Sequence, residues 1–239
     1  MFIAVVAKAW CGMTLIFDAI DGTFGGTPRP ASPYPKCVTA YQQYITQTEN
    51  GVLQPFPQGI SQYSTLARDG LLTLDIETWP INWMLLQGAL KVARQQQPAV
   101  RLSFFGSGAV SGTMINQGVA GTPSAFTSAE AIDDSDAARA TMALCDFCSP
   151  GLYLNSTQNV QEFLAMAGYT IAASRRYCKP VYAEICPFYG DNGKLIPEDV
   201  WSSIIWNLSG ICDGLIVWAH INTMWEENSP WWQALKGLA

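Results

Sequence analysis

The stretch Leu71-Leu-Thr-Leu-Asp75-Ile-Glu77-Thr-Trp79-Pro80 reads as a buried strand that ends in two carboxylates and an aromatic ring. Side chains alternate across a strand, so Leu72, Leu74 and Ile76 take one face while Thr73, Asp75 and Glu77 take the other. Two acids therefore point the same way from one rigid element. Burying ionised carboxylates without partners is costly, so a pair at the carboxyl end of a strand suits acid/base chemistry better than core building. A structural ion pair with Arg68, Arg94 or Arg101 is the plainer alternative.

Working outward, apolar runs and helical spacings alternate on both sides of this strand. Ser61 to Arg68 predicts a short helix before it, closed by Gly70. After it, Trp83, Leu86, Leu90 and Ala93 recur at helical spacing from Pro80 to Gln97. Val100 to Phe105, Ser149 to Asn155, Lys179 to Ile185 and Asp213 to His220 predict further strands, and Phe2 to Ala7 and Thr14 to Ile20 two earlier ones. Helices are predicted over Ala129 to Ala143, from a cap at Asn155 or Ser156 to about Tyr177, from Pro197, and from Ser229 onward. Cys37 to Thr46 fits helix or strand, and residues 50 to 59 read as loop.

Strand, helix, strand order of this kind implies parallel strands buried on both faces. The expected fold class is α/β, a single TIM-type (β/α) barrel of seven or eight parallel strands, regular or distorted, using residues 1 to 239 as one domain. An open doubly wound sheet is the alternative, weakened by the lack of a glycine-rich nucleotide turn. Gly106-Ser-Gly108 lacks the Lys-Ser/Thr of a phosphate loop.

The 239 residues are 49% hydrophobic and 13% charged, which suits a large core. A net charge of −6 with 13 Lys and Arg argues against nucleic acid as a partner, and no apolar run is long enough to span a bilayer. Met1 to Val6 lacks the basic opening of a signal peptide, and the compartment stays open. Seven cysteines cannot all pair within one chain; most sit in apolar surroundings and are expected as free buried thiols, with a bridged secreted protein as the alternative. The single histidine, His220, removes multi-histidine metal sites, and Cys145-Asp-Phe-Cys148 has no second ligand pair. No metal or cofactor is expected.

In such a barrel, functional side chains gather at the carboxyl ends of the strands. Those ends supply Asp75 and Glu77, Tyr153, Tyr182 and Glu184, and Trp218 and His220, while Trp79 follows the central strand. Asp18 and Asp21 lie on opposite faces of the first segment; Asp21-Gly22 reads as turn chemistry, which leaves Asp18 as the candidate for the lumen. Acids and flat rings are what carbohydrate chemistry needs, to protonate a glycosidic oxygen and to stack on sugar faces.

Asp75-Ile-Glu77-Thr-Trp79, Ser149-Pro-Gly-Leu-Tyr153-Leu, Pro180-Val-Tyr182-Ala and Gly214-Leu-Ile-Val-Trp218, in this order over residues 50 to 220, resemble the strand ends of hyaluronidase-type glycoside hydrolases. The Asp-x-Glu pair is also similar to the end of the chitinase-type motif. The resemblance implies substrate-assisted retaining hydrolysis of a polysaccharide containing N-acetylhexosamine. It makes Glu77 the general acid and base and Asp75 the group that orients the substrate acetamide. Tyr153 and Tyr182 would hold that amide, and Trp218 would be part of the sugar platform. The chain departs from the family at Glu184, which allows a direct nucleophile or an inverting base instead. A non-catalytic carbohydrate-binding or structural barrel in a larger assembly, such as a virus particle, is the competing function. A metal-dependent deacetylase is disfavoured by the single histidine.

Overall fold

A computed structural model describes residues 14–20, 23–24, 27–28, 32–78, 81–108, 135–219 and 227–238. In chain order its elements are β1 (Leu15–Asp18), β2 (Thr23–Phe24), β3 (Thr27–Pro28), β4 (Cys37–Tyr41), the single turn α1 (Gln42–Ile45), β5 (Thr46–Glu49) and β6 (Val52–Pro55). There follow α2 (Pro57–Leu66), β7 (Leu71–Asp75), α3 (Trp83–Gln96), β8 (Arg101–Phe104), α4 (Asp136–Ala143) and α5 (Val160–Ser174). The chain ends with β9 (Tyr182–Ile185), α6 (Glu198–Ser209), β10 (Gly214–Val217) and α7 (Pro230–Lys236).

Six of these strands run parallel in two three-stranded sheets, ordered β4-β7-β8 and β1-β10-β9. The expected barrel of seven or eight continuous strands is therefore not formed among the described residues. What joins the sheets is thinner. On one side Asp18 N–H donates to Pro35 O at 2.9 Å, next to an isolated bridge between Asp18 and Lys36. On the other side the segment from Asp146 to Leu154 lies between β8 and β9. Asp146 N–H reaches Leu102 O at 2.8 Å, Gly106 N–H reaches Ser149 O at 2.9 Å, and Cys148 and Gly151 bridge to Val181 and Glu184. The expected strand Ser149 to Asn155 is this irregular segment. Pro150 has no N–H to donate and Gly151 has no side chain to pack, so a regular ladder is lost while the parallel course is kept.

Two cores follow from strand alternation. Leu72, Leu74, Leu102, Phe104, Ala183, Ile185, Leu215 and Val217 face the helices and pack with residues such as Leu86, Leu90, Phe163 and Trp201. The opposite faces form a second cluster of Phe17, Ala19, Cys37, Leu71, Phe147, Tyr182 and Ile216, with Trp218 against it. Helix starts use side-chain caps: Asn82 Oδ1 accepts from Leu85 N–H at 3.0 Å and Asn159 Oδ1 from Gln161 N–H at 2.8 Å. The long helix thus begins at Val160, not at the expected Asn155 or Ser156. Residues 42 to 55, ambiguous or loop by sequence, form a helical turn and a hairpin tipped by Asn50 and Gly51, both at positive φ.

Candidate active site

β7 is buried along its length until Asp75, which is partly buried; Glu77, two residues on, is exposed. Alternation puts both on the side of Thr73, away from the helices, as the sequence requires. Asp75 pairs in register with Tyr41 on β4. Its Oδ1 is buried and has no hydrogen-bond partner among the described residues. Burial pushes Asp75 up to about 7, with the Glu77 charge adding to the rise. Glu77 keeps an exposed side chain, and the partial desolvation of its carboxyl raises it as well. The Arg94 alternative falls away, because that guanidinium pairs with Asp146 and caps the carbonyls of Pro98 and Val100.

Aromatic rings flank the pair. Tyr153 stacks on Trp218 with centroids 5.9 Å apart and on Phe105 at 5.7 Å. Trp218 Nε1 donates to the Tyr41 hydroxyl at 2.8 Å, which ties the stack to the register partner of Asp75. Glu184 is 2% exposed. Its Oε2 accepts from Ser149 Oγ at 3.1 Å and its Oε1 from the Tyr153 hydroxyl at 3.3 Å. Burial, then the charge of Asp75, raises Glu184 to about 8. Burial and Glu184 also push the Tyr153 hydroxyl well above its usual range.

The structure thus brings Asp75, Glu77, Tyr153, Glu184 and Trp218 to one region. It sets two expected residues apart. Tyr182 shares the face of Glu184 but lies at the amino end of β9, paired with Gly214, with its ring among Phe17 and Phe147. Its hydroxyl accepts from Arg101, whose guanidinium lies 5.2 Å above the Tyr182 ring. Asp18 takes the other face of β1: Phe17 is in register with Ile216 and Glu184, so Asp18 sits with Val217 and Ile185. It is buried there, and its Oδ1 accepts Ile20 N–H at 2.9 Å. Trp79, His220 and Asp21 lie outside the described residues. Sequence reading missed Tyr41 and Ser149; Tyr41 ends a strand whose type was ambiguous, and Ser149 was hidden inside a motif valued for its tyrosine.

Among the described residues no group of three or more His, Cys, Asp or Glu side chains is placed to hold a metal ion. The cysteines in them are free, with Cys37, Cys145, Cys148 and Cys186 buried.

No protein-family model matches the chain, and no curated protein matches it in sequence. Solved structures do. Bee venom hyaluronidase superposes with a TM-score of 0.63 over 94% of this chain and 95% of that one, at 13% identity. The fold is similar to that of bee venom hyaluronidase. A second structure of that enzyme, in complex with a hyaluronic acid tetramer, superposes with a TM-score of 0.56 over 78% of this chain and 80% of that one, at 15% identity. At these identities the likeness concerns the fold, and the chemistry rests on the side chains described above.

Proposed function

We propose that the protein is a glycoside hydrolase acting on a polysaccharide that contains N-acetylhexosamine, with Glu77 as general acid and then base and Asp75 as its partner. The observation that carries this reading is the Asp75 carboxyl: partly buried beside Glu77, with one oxygen lacking a donor among the described residues. A buried acceptor of this kind is costly unless something binds it, and a substrate amide N–H would supply the missing donor. Held there, the acetamide oxygen would lie against the anomeric carbon and act as the nucleophile, while Glu77 protonates the leaving oxygen. Glu77 is the exposed member of the pair, and an acid that meets a polymer needs that access.

The position of Glu184 supports the assisted route over a two-carboxylate one. Both of its oxygens are occupied and almost no surface is open, so it is poorly placed to attack a sugar. The stacked rings of Tyr153 and Trp218 supply a flat apolar surface of the kind pyranose faces pack on. The polysaccharide bound by the bee enzyme is consistent with a polymer substrate for this fold.

The test is release of reducing ends from hyaluronan, chondroitin, chitin and peptidoglycan. Wild type is expected to cleave one of them, folded Glu77→Gln to lose about 100-fold or more in kcat, and Asp75→Asn to lose a comparable factor. Activity should fall as pH rises through the raised titration of Glu77, since the acid must be protonated. Equal rates in wild type and Glu77→Gln would end this assignment. Binding of a polymer without release would instead favour a non-catalytic carbohydrate module.

A further inference from the structure

Glu184 is the departure from the family pattern, and its surroundings give it a task. The isolated bridge pairs Glu184 with Gly151. Glu184 N–H donates to Pro150 O at 2.9 Å, and Leu152 N–H donates to Glu184 O at 2.8 Å, so the main chain of Glu184 straddles Gly151. Residues two apart share a face, so Ser149 and Tyr153 flank the side of Gly151 that Glu184 faces. Gly151 puts no side chain between them. A Cβ there would lie 2.6 Å from two atoms of the Phe105 ring, so glycine is what lets that ring close against the segment. The Glu184 carboxyl joins the two flanking residues, taking Ser149 Oγ on one oxygen and the Tyr153 hydroxyl on the other.

Ser149 is itself fixed. Its N–H donates to Ser107 Oγ at 2.6 Å, and Ser107 Oγ lies 2.6 Å from Ser103 Oγ, which donates to Phe147 O at 2.8 Å. A hydrogen-bonded run therefore leads from β8 through Ser149 and Glu184 to the ring that stacks on Trp218. We propose that Glu184 is a positioning residue, which anchors the Tyr153 hydroxyl and so sets the Tyr153–Trp218 surface beside Asp75 and Glu77. The proposal rests on the glycosidase reading for its catalytic consequence, and on the geometry alone for the anchoring. The groups that face Glu184 are Asp75 and Glu77 from the β7 end, Ser149 and Tyr153 from the joining segment, and Cys37 and Cys186. Among the described residues no cation is found in the groups acting on it, and a neutral carboxyl can still hold both neighbours, accepting from one hydroxyl and donating to the other.

A neutral acid is mimicked by glutamine, which can still accept from Ser149 and donate to the Tyr153 oxygen. Glu184→Gln and Glu184→Leu would be compared with Tyr153→Phe and with the Glu184→Leu/Tyr153→Phe double variant. Without substrate, the near-ultraviolet circular dichroism should change in Glu184→Leu and stay near wild type in Glu184→Gln. In the Tyr153→Phe background the Glu184→Leu change should disappear. On the polymer that wild type cleaves, Glu184→Leu should lose about tenfold to a hundredfold in kcat/KM, with most of it kept by Glu184→Gln.

Two results overturn the proposal. One is loss of turnover in Glu184→Gln together with azide rescue of Glu184→Ala to an inverted product, which would make Glu184 the nucleophile. The other is a change in circular dichroism that persists undiminished in the Tyr153→Phe background, or no change at all. Should Glu184→Leu fail to fold, Glu184→Ala, which removes the carboxyl and its bond to Tyr153, carries the test in the two Tyr153 backgrounds through the coupling energy of the unfolding cycle: absence of coupling overturns the proposal. The spectroscopic arm needs no substrate, so it remains decisive even when no polymer is cleaved and the glycosidase reading fails.

Discussion

Asp75 and Glu184 are acids whose ionisation the fold opposes, because burial raises the first from 3.8 to about 7 and the second from 4.5 to about 8. Between the ordinary and raised values the folded chain holds protons that the unfolded chain has released. The stability each group contributes is therefore fully present below its ordinary value and is lost as pH rises through about 7 for Asp75 and about 8 for Glu184. Each contributes a slope of about 1.4 kcal/mol per pH unit within its window. Urea unfolding at pH 5 and pH 8 should show wild type less stable at the higher pH, and both Asp75→Asn and Glu184→Gln should reduce that difference. An unchanged pH dependence in both variants would mean that these carboxyls are better solvated than the structure has them. At this scale the sequence was legible where alternation decides, as for Asp75 and Glu77 on one face. It pointed the other way at Asp18, which it offered to the lumen in place of Asp21, whereas the register with Ile216 and Val217 shows that Phe17 takes the lumen face.

Among the elements, legibility depended on how a boundary is made. The helix at Trp83–Gln96 was visible in its apolar spacing, but its start is set by the Asn82 side chain and not by Pro80. The start of α5 moved in the same way to Asn159, because an amide free to reach two backbone N–H groups outranks an earlier polar residue. The segment Ser149 to Asn155 has the composition of a strand end, and its failure to form a ladder comes from Pro150 and Gly151. That failure is useful to the site, since the bare backbone at Gly151 leaves room for the Phe105 ring beside Ser149 and Tyr153, whose hydroxyls the Glu184 carboxyl holds. Gly151→Ala would force its Cβ against the Phe105 ring and should cost about 1–3 kcal/mol. It should also disturb the Phe105–Tyr153 stack, visible as a changed near-ultraviolet spectrum. A variant as stable as wild type, with the same spectrum, would show that the ring has room to withdraw.

For the molecule as a whole, the strand and helix order carried the parallel α/β architecture, while closure of the ring did not follow from it. Closure depends on how many hydrogen bonds join neighbouring strands, and that is set by register and by residues such as Pro150 that interrupt a ladder. Here two regular sheets are joined by a short contact at Asp18, Pro35 and Lys36 on one side and by the Asp146 to Leu154 segment on the other. The seams differ. The second seam is pinned by Ser103, Ser107 and Glu184 side chains as well as by main-chain bonds, whereas the main-chain contacts of the first, among the described residues, are the Asp18 to Pro35 bond and the Asp18–Lys36 bridge. Local opening follows the density of such contacts, so it should begin at the first seam. Native-state hydrogen exchange should find the slowest amides in the central strands, at Leu72 and Leu74 of β7 and Leu215 and Val217 of β10, with Asp18 exchanging well before them. Comparable protection at Asp18 and in the central strands would show that the two sheets open as one cooperative unit. In that case the ring, despite its broken ladders, would behave as a closed barrel.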